Sequence, residues 1–194
     1  MLERLIEMLL DKSFQLSDRP TFKLASGKRS HFYINCKPTT LNPEAMNLIG
    51  TMIFDKIKND PVDAIGGLSF GADPIANSVA IISYQQGKPI KPFSVREKTK
   101  DHGIINTLEG DIHKGERAVI IDDVITTGGS TIKAIASARE AGLEVVKVIA
   151  LVDREEGGKE EILKHTNDVE SIITRTRLME AFHARQNKKG DQAV

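Results

Sequence analysis

The sequence of 194 residues has little cysteine and no excess of charge of either sign. Its one cysteine, Cys36, excludes an intrachain disulfide and a zinc site built on several thiolates, and it fits a reducing compartment. The 27 basic and 27 acidic residues balance to a net charge of zero. That balance argues against a protein that binds nucleic acid over a broad surface, because such binding needs a surplus of Lys and Arg.

Long apolar runs are also missing. No window approaches the ~18 consecutive apolar residues of a membrane span. The chain opens with MLERLIEMLLDK, which contains acids where a signal peptide needs an uninterrupted apolar stretch. We therefore expect a soluble, cytoplasmic protein without a nucleic-acid or membrane partner. The length and the 40% hydrophobic content suffice for one ordinary core.

Apolar spacing predicts strands that alternate with helices along most of the chain. This alternation implies right-handed crossovers and an α/β fold, with a mostly parallel central sheet covered by helices on both faces. We expect one domain over 1–194, with an N-terminal segment at about 1–40, a core sheet at about 60–175 and a polar tail at 187–194. The predicted later helices cover about 43–58, 74–86, 130–141 and 177–186.

The most specific motif is AVIIDDVITTGGS, residues 118–130. In it an apolar strand is followed by two acids, a turn rich in threonine and glycine, and a helix. Such a turn offers free backbone N–H groups and the positive end of the helix dipole, and its glycines allow a close approach of an anion. The motif therefore predicts a phosphate site. It differs from the Walker A loop, whose lysine is missing, and from the G-x-G-x-x-G turn.

Asp122 and Asp123 narrow the choice of ligand. Carboxylates beside an anion site would repel a phosphate, so they must face another group, either sugar hydroxyls or a divalent cation. A ligand with a phosphate, a ribose and a magnesium-bound diphosphate satisfies both halves of the motif. The alternative interpretation is structural, with the acids capping the helix and the glycines forming a tight turn.

Residues 118–130 resemble the 5-phosphoribosyl 1-diphosphate (PRPP) binding motif of the type I phosphoribosyltransferase family. Other segments are similar, in the same order, to the orotate phosphoribosyltransferases within that family: FKLASGKRSHFYIN (22–35), GADPIA (71–76), VREKTKDHG (95–103) and LVDREEGG (151–158). The combination of K-x-H-G with D-R-x-E-G-G indicates the orotate branch. The resemblance implies the type I phosphoribosyltransferase fold with a small N-terminal hood region.

The resemblance also implies a role for the cationic segment that follows the strand KPFSV. In the family this segment, 96–113 here, belongs to a long mobile loop that closes over the active site of the neighbouring subunit, which implies a homodimer. Taken alone, its charges also fit a solvated loop. Beside a diphosphate site, cations stabilise the departing negative charge. The resemblance implies that Lys100, Asp122 and Asp123 are catalytic, and that PRPP contacts Arg96, Lys100, His102, Asp122, Asp123, Val124, Ile125, Thr126, Thr127, Gly128, Gly129 and Ser130.

Recognition of the base is assigned to Arg154, with a contribution from Thr126. An arginine at a strand end can make two hydrogen bonds to a planar carboxylate, and the family uses this position for the carboxylate of orotate. The alternative is an arginine paired with a neighbouring acid. Phe32 and Tyr33 either flank the base or belong to the core.

The expected reaction is a Mg²⁺-dependent transfer of the phosphoribosyl group from PRPP to orotate, giving orotidine 5-phosphate and diphosphate in pyrimidine nucleotide synthesis. No protein ligand to the metal is assigned. Magnesium is expected to be held mainly by PRPP and water, near Asp122 and Asp123. Two alternatives stay open: transfer to another base such as a purine or uracil, and a regulator that binds PRPP without catalysis.

Three positions depart from the pattern of the family. Glu97 replaces a lysine found in many members, Ala25 replaces another lysine, and Asp73 occupies a position that is basic in some relatives. These changes raise the further alternative of a weakened paralogue. They leave intact the turn of residues 126–130, called the phosphate turn below.

Overall fold

The structure is a computed structural model that describes residues 1–17, 19–23, 29–100 and 103–191, with the backbone alone for 23, 97–100, 103–106 and 188–191. Its elements are, in order, α1 (Leu2–Lys12), β1 (Phe14–Leu16), β2 (Phe22–Lys23), β3 (Arg29–Ser30), β4 (Phe32–Ile34), α2 (Lys37–Thr40), α3 (Pro43–Ile57), β5 (Ala64–Leu68), α4 (Asp73–Gln85), β6 (Lys91–Lys100), β7 (Gly103–Glu109), β8 (Arg117–Ile125), α5 (Gly129–Glu140), β9 (Glu144–Asp153), α6 (Gly158–Ile162), β10 (Val169–Thr174) and α7 (Arg175–Asp191).

The central sheet has the strand order β10-β9-β8-β5-β6-β7. All neighbouring pairs are parallel except β6 with β7, which is antiparallel. The predicted α/β class with a mostly parallel sheet is confirmed. The interior position of β8 places the motif of 118–130 in the middle of the sheet.

The sheet is buried on both faces because the side chains of its strands alternate in direction. Along β8, Val119 and Ile121 join the core cluster that includes α1, α3 and α4. Ala118 and Ile120 join the opposite cluster, which α5 covers. This two-sided burial fixes the position of β8, whose last residues carry the two acids and lead into the threonine- and glycine-rich turn.

The start of α3 follows from its first residues. The Asn42 side chain accepts hydrogen bonds from the backbone N–H groups of Glu44 and Ala45, at 3.0 and 3.3 Å. Pro43 occupies the first helical position, where its missing N–H costs nothing. The predicted helix of 43–58 therefore agrees with the structure to within one residue.

The expected loop over 96–113 is a β-hairpin in the described backbone. Strand β6 continues through Lys100, and β7 pairs with it from Gly103 to Glu109. The reason lies in composition, because Val95, Thr99, the Ile104–Ile105 pair and the residues after it favour extended structure despite the intervening charges. The prediction of a loop is wrong for these strands.

The N-terminal and C-terminal parts contain more regular structure than the sequence predicted. Strand β1 pairs with β4, and β2 pairs with β3. Helix α7 begins two residues before the predicted start at 177 and extends to Asp191, into the segment expected to be a polar tail. Within the part of the chain that the structure describes, no helix combines the length and apolar character needed to cross a bilayer.

Candidate functional site

The site lies where the carboxyl ends of the parallel strands meet, the usual ligand position in such sheets. Strands β8 and β9 are neighbours, with Ile125 paired to Asp153. Just beyond this pair the backbone N–H of Arg154 donates to the carbonyl of Ile125 at 2.9 Å. The predicted phosphate turn and the predicted base-binding arginine are therefore joined by a direct backbone hydrogen bond.

The phosphate turn leads directly into α5. Gly128 adopts the left-handed conformation, with φ of +83°, and stands at the N-cap position. It carries no side chain, so the cap residue does not compete with an anion for the N–H groups of the first turn. A Cβ at this position would lie 2.9 Å from the carbonyl oxygen of Gly158. Both the conformation and the packing require glycine here.

The other residues of 124–130 divide into core and accessible positions. Ile125 is buried in the α5-side cluster, and Val124 packs against the opposite cluster. Their side chains belong to the core, so only their backbone could touch a ligand. Thr126 is half-buried, and the remaining accessible positions are Thr127, Gly129 and Ser130.

Asp122 is buried, and its Oδ2 accepts a hydrogen bond from the hydroxyl of Thr131 at 2.6 Å. Burial raises the pKa of Asp122 to about 7, and the nearby charge of Asp123 contributes in the same direction. The Thr131 hydroxyl opposes this rise because it stabilises the ionised form. The carboxylate therefore lies in an environment that favours a partner of positive charge.

Asp123 is half-buried beside Asp122, and burial raises its pKa as well. The charge of Lys37, at the start of α2, acts against that rise. Gly71 approaches from the turn between β5 and α4, where a Cβ would lie 2.4 Å from Asp123 Oδ1. The acid pair on β8 is therefore surrounded by residues from two other parts of the chain, the start of α2 and the turn before α4.

Arg154 is 5% exposed, and its guanidinium carbon lies 4.4 Å from the centre of the Phe32 ring. Its Nε donates to Glu156 Oε1 at 3.1 Å. Its Nη2 lies 2.8 Å from the same oxygen but makes no hydrogen bond among the described residues. A guanidinium has more N–H donors than one carboxylate oxygen can accept, so it can bind a further carboxylate. The alternative ion pair with a neighbouring acid, Glu156, is present. It does not use all the N–H groups of Arg154.

Phe32 and Tyr33 have different environments. Phe32 is buried, and its ring stacks on Phe14 with centroids 6.2 Å apart. Tyr33 is exposed and stacks on Phe22 at 5.6 Å. Phe32 is therefore a core residue that also supports Arg154.

The predicted diphosphate-binding residues are described only in part. Arg96 lies at the surface on β6, with Nε 3.1 Å from Glu109 Oε2. The backbone of Lys100 pairs with that of Gly103. The Lys100 side chain and the whole of His102 lie outside the described residues, so their roles stay predictions.

Of the three departures from the family pattern, only Asp73 is fully described. It begins α4 and, together with Asn77, Ser94, Arg96 and Glu109, lines a surface pocket of about 230 Å³. The side chain of Glu97 and the whole of Ala25 lie outside the described residues. Asp73 therefore shares a pocket with a residue predicted to bind diphosphate.

Sequence reasoning missed two polar residues of this region. Lys37 follows β4 and acts on Asp123, and Thr131 binds Asp122. Thr131 could have been found, because it lies in the first turn of the helix that follows the motif. Lys37 had no such signal, since it is distant in sequence from the acids and lies in the short helix KPTT.

The donor set at the acid pair fits a magnesium ion held mainly by a ligand. Among the described residues, no group of three or more His, Cys, Asp or Glu side chains forms a metal cluster. Mg²⁺ typically uses one or two carboxylates together with phosphate oxygens and water. The carboxylates of the buried Asp122 and the half-buried Asp123 supply that limited set.

The phosphoribosyl transferase domain family matches residues 42–184. The orotate phosphoribosyltransferase of Aquifex aeolicus is 44% identical over 177 residues, which are 91% of this chain and 97% of that protein. That of Bradyrhizobium diazoefficiens is 47% identical over 158 residues, 79% of this chain and 83% of the relative. The Mycobacterium tuberculosis orotate phosphoribosyltransferase, solved in complex with PRPP, superposes with a TM-score of 0.74 at 29% identity and covers 91% of this chain and 98% of its own.

The protein is an α/β domain of the type I phosphoribosyltransferase fold, with its phosphate turn after β8. The match to well over half of the chain is decisive on this point. The chain belongs to the phosphoribosyltransferase family, in its orotate phosphoribosyltransferase branch.

Proposed function

We propose that the chain catalyses the transfer of the phosphoribosyl group from PRPP to orotate. The observation that carries this proposal is the backbone hydrogen bond of 2.9 Å between Arg154 and Ile125. It joins the residue that carries a buried guanidinium, suited to a planar carboxylate, to the residue just before a turn suited to a phosphate, and this supports the proposal. A nucleotide precursor and an anionic base need these two features at neighbouring strand ends.

The reaction exchanges one bond for another at the same carbon. The bond from the ribose C1 to the diphosphate oxygen breaks, the bond from C1 to orotate N1 forms, and the N1 proton passes to solvent. Positive charge develops on the ribose ring as the diphosphate leaves. Asp122 and Asp123 accept hydrogen bonds from the ribose hydroxyls and stabilise that charge by their own.

The phosphate turn positions the ligand. The 5-phosphate binds to the first-turn N–H groups of α5, where Gly128 leaves the cap position open. The accessible hydroxyls of Thr127 and Ser130 complete the site. This anchoring holds C1 in a fixed position relative to the acid pair and so lowers the entropic cost of reaction.

Arg154 selects the base. Its guanidinium is buried over Phe32, so a carboxylate that reaches it replaces water in a region of low polarity. Thr126, half-buried in the turn, contacts the pyrimidine. A purine has no carboxylate for this arginine, so we propose orotate as the accepting base.

The departing diphosphate is assigned to the cationic residues of the β6–β7 hairpin, Arg96, Lys100 and His102. Their charges stabilise the oxygens that become negative as the bond breaks. Arg96 extends from the strand next to β5, on the side of the site opposite Arg154. This position separates the leaving-group side from the base side.

Magnesium is the proposed cofactor, bound with PRPP and supported by Asp122 and Asp123. When bound, the metal neutralises part of the diphosphate charge. The two carboxylates supply the negative charge that such an ion requires nearby.

We further propose that the chain acts as a cytoplasmic homodimer. Large apolar side chains are exposed on α4 and near it, among them Leu41, Phe70, Ile81 and Tyr84, with Phe70 73% and Tyr84 76% exposed. A monomer rarely exposes such groups together, because burying them is favourable. A second copy of this chain covers this surface and brings its own hairpin to the neighbouring site.

The decisive experiment follows the loss of orotate absorbance in a mixture of the protein, PRPP and magnesium chloride. Turnover with orotate supports the proposal. Turnover with hypoxanthine or uracil but not with orotate would replace it with another base specificity. PRPP binding without turnover of any base would indicate a regulator.

A further inference from the structure

Glu155 follows Arg154 and connects the end of β9 to helix α7. Its Oε2 accepts hydrogen bonds from the backbone N–H of Thr176 at 2.8 Å and from the Thr176 hydroxyl at 2.6 Å. The Nε of Arg175 lies 3.9 Å from the same oxygen. These contacts hold the pKa of Glu155 below its ordinary value, with the Thr176 hydroxyl as the main cause. A carboxylate at the N-terminus of α7 also interacts favourably with the positive end of the helix dipole.

The backbone of Glu155 is held in an uncommon conformation. Its φ is +54°, in the left-handed region that non-glycine residues rarely adopt. Asp153 Oδ1 accepts a hydrogen bond from the Glu155 N–H at 2.8 Å. The conformational free energy that this backbone geometry costs is tolerated only where surrounding contacts hold the residue in place. Such residues are frequent at functional sites.

The contact between Glu155 and α7 completes a closed chain of contacts around Arg154. The guanidinium of Arg154 lies over Phe32, and Phe32 stacks on Phe14. Phe14 in turn packs against Phe182 of α7, with ring centroids 5.5 Å apart. Glu155 then joins the first turn of α7 to the residue next to Arg154.

This ring of contacts fixes the aromatic side chains beneath Arg154 relative to the end of β9, which carries the Arg154 backbone. Backbone contacts also hold the strand end, to β8 through the hydrogen bond of Arg154 to Ile125 and to β10 through the pairing of Asp153 with Thr174. Among the described residues, Glu155 adds the side-chain hydrogen bonds that fix this strand end to the first turn of α7, and the test removes them. The guanidinium could then move relative to Phe32. A small displacement of a binding group is sufficient to weaken recognition of a rigid, planar ligand.

We propose that Glu155 is a positioning residue that holds Arg154 in place for the carboxylate of the base, by binding the first turn of α7. The inference rests on the proposed function and deepens it. It assigns to Glu155 and Thr176 an effect on the affinity for orotate, and none on the binding of PRPP. Among the described residues, no backbone hydrogen bond joins the phosphate turn to α7.

The test compares two neutral substitutions that differ by one methylene group. Asn tolerates the left-handed conformation but is too short to reach Thr176, whereas Gln keeps the reach and an accepting oxygen. In Glu155→Asn we expect the KM for orotate to rise about tenfold, which corresponds to ~1.4 kcal/mol. The KM for PRPP stays within about twofold. Glu155→Gln restores most of the orotate affinity. Glu160→Gln, an exposed carboxylate on α6, is the control.

A second variant tests the partner. Thr176→Val removes the hydroxyl, and combined with Glu155→Asn it should add little, because both changes break the same link. Equal orotate KM values for Glu155→Asn and the wild type would overturn the inference while leaving the proposed function intact. A rise in the KM values of both substrates by the same factor would also overturn it, since that indicates general loosening. A wild-type protein that does not turn over orotate would instead refute the proposed function, and the inference with it.

Discussion

Thr131 donates its hydroxyl hydrogen to Asp122 Oδ2 over 2.6 Å, so the first turn of α5 contacts the buried carboxylate of β8 directly. The same helix begins within the turn that we propose binds the 5-phosphate. Burial raises the pKa of Asp122 to about 7, and the hydrogen bond from Thr131 opposes that rise.

This raised pKa predicts a pH-dependent effect of Asp122→Asn. In the unfolded chain the carboxyl ionises near its ordinary pKa, but in the folded chain it ionises only near pH 7. Its contribution to stability is therefore fully present below about pH 4 and is lost as the pH rises through about 7. Without ligand, the substitution should stabilise the protein at pH 8 by ~1–3 kcal/mol and have little effect at pH 4.

Thermal unfolding of both proteins at the two pH values measures this difference. The same variant should lose at least about 100-fold in kcat, because it removes a charge beside the ribose. A stability gain of equal size at both pH values would show that burial does not raise the pKa as described.

Gly158→Ala should weaken PRPP binding. A Cβ at Gly158 would lie 2.6 Å from the carbonyl oxygen of Thr126 and 2.9 Å from the backbone nitrogen of Gly128, so the phosphate turn must move. We expect the KM for PRPP to rise about tenfold and the free energy of unfolding to fall by ~1–3 kcal/mol.

The neighbouring Gly157 offers a matched control. It has φ of +88° but no atom within 4 Å of an added Cβ, and Asn tolerates that conformation. Gly157→Asn should therefore leave the KM for PRPP nearly unchanged. If both variants raise this KM equally, the contact between Gly158 and the turn does not determine PRPP binding.

Arg154→Lys should raise the KM for orotate by at least about tenfold, although it preserves the charge. Lysine lacks the planar group that makes two hydrogen bonds to a carboxylate and lies flat on Phe32. Initial rates at saturating PRPP measure the change, and Arg154→Ala should be at least as severe. Arg139→Lys, on the far part of α5, should leave the KM unaffected. An unaltered KM in Arg154→Lys would return Arg154 to a purely structural ion pair with Glu156.

Lys100→Ala should depress kcat strongly and leave the melting temperature nearly unchanged. The physical reason is the loss of a positive charge that stabilises the departing diphosphate. If the hairpin acts in the neighbouring subunit, mixing this variant with Asp122→Asn should restore activity through hybrid dimers. Random mixing gives about a quarter of the wild-type activity, because half of the dimers carry one intact site. Hybrid dimers that form but stay inactive would place each site within one chain.

Ile81→Glu should weaken the homodimer at least tenfold. Ile81 lies on the exposed apolar surface of α4, and a buried, unpaired carboxylate there is costly. Sedimentation velocity over a range of concentrations measures the effect. Leu163→Glu is the control, since Leu163 is another exposed apolar residue but lies at the end of α6. A monomeric wild-type protein would contradict this prediction and the proposed interface.

Local patterns predicted much of the fold. The Asn42-Pro43 start of α3 and the strand–turn–helix unit of 118–130 could be read directly, because the forces that determine them act between residues close in sequence. The α/β class, the family and its orotate branch were confirmed by the sheet and the comparisons. The assigned site residues keep the status of predictions, apart from the geometry reported for those described.

Contacts between distant segments could not be predicted in this way. The hydrogen bonds between Glu155 and Thr176 span 21 residues, and Lys37 is still farther from Asp123. Neither pair has a periodic or compositional signal. The hairpin of β6 and β7 was missed for another reason, since its charges resembled those of a loop while its extended backbone depends on pairing between the two strands.

The close packing of Gly158 on the phosphate turn has a consequence for how base preference can diverge among relatives. The segment 154–158 carries the arginine proposed to bind the base and the glycine that packs on the phosphate turn, but these two positions are not equally free to vary. The side chain at Arg154 can be exchanged without touching the phosphate turn, whereas Gly158 cannot gain even a methyl group. Relatives that use another base should therefore differ first at Arg154, and should retain a glycine at Gly158.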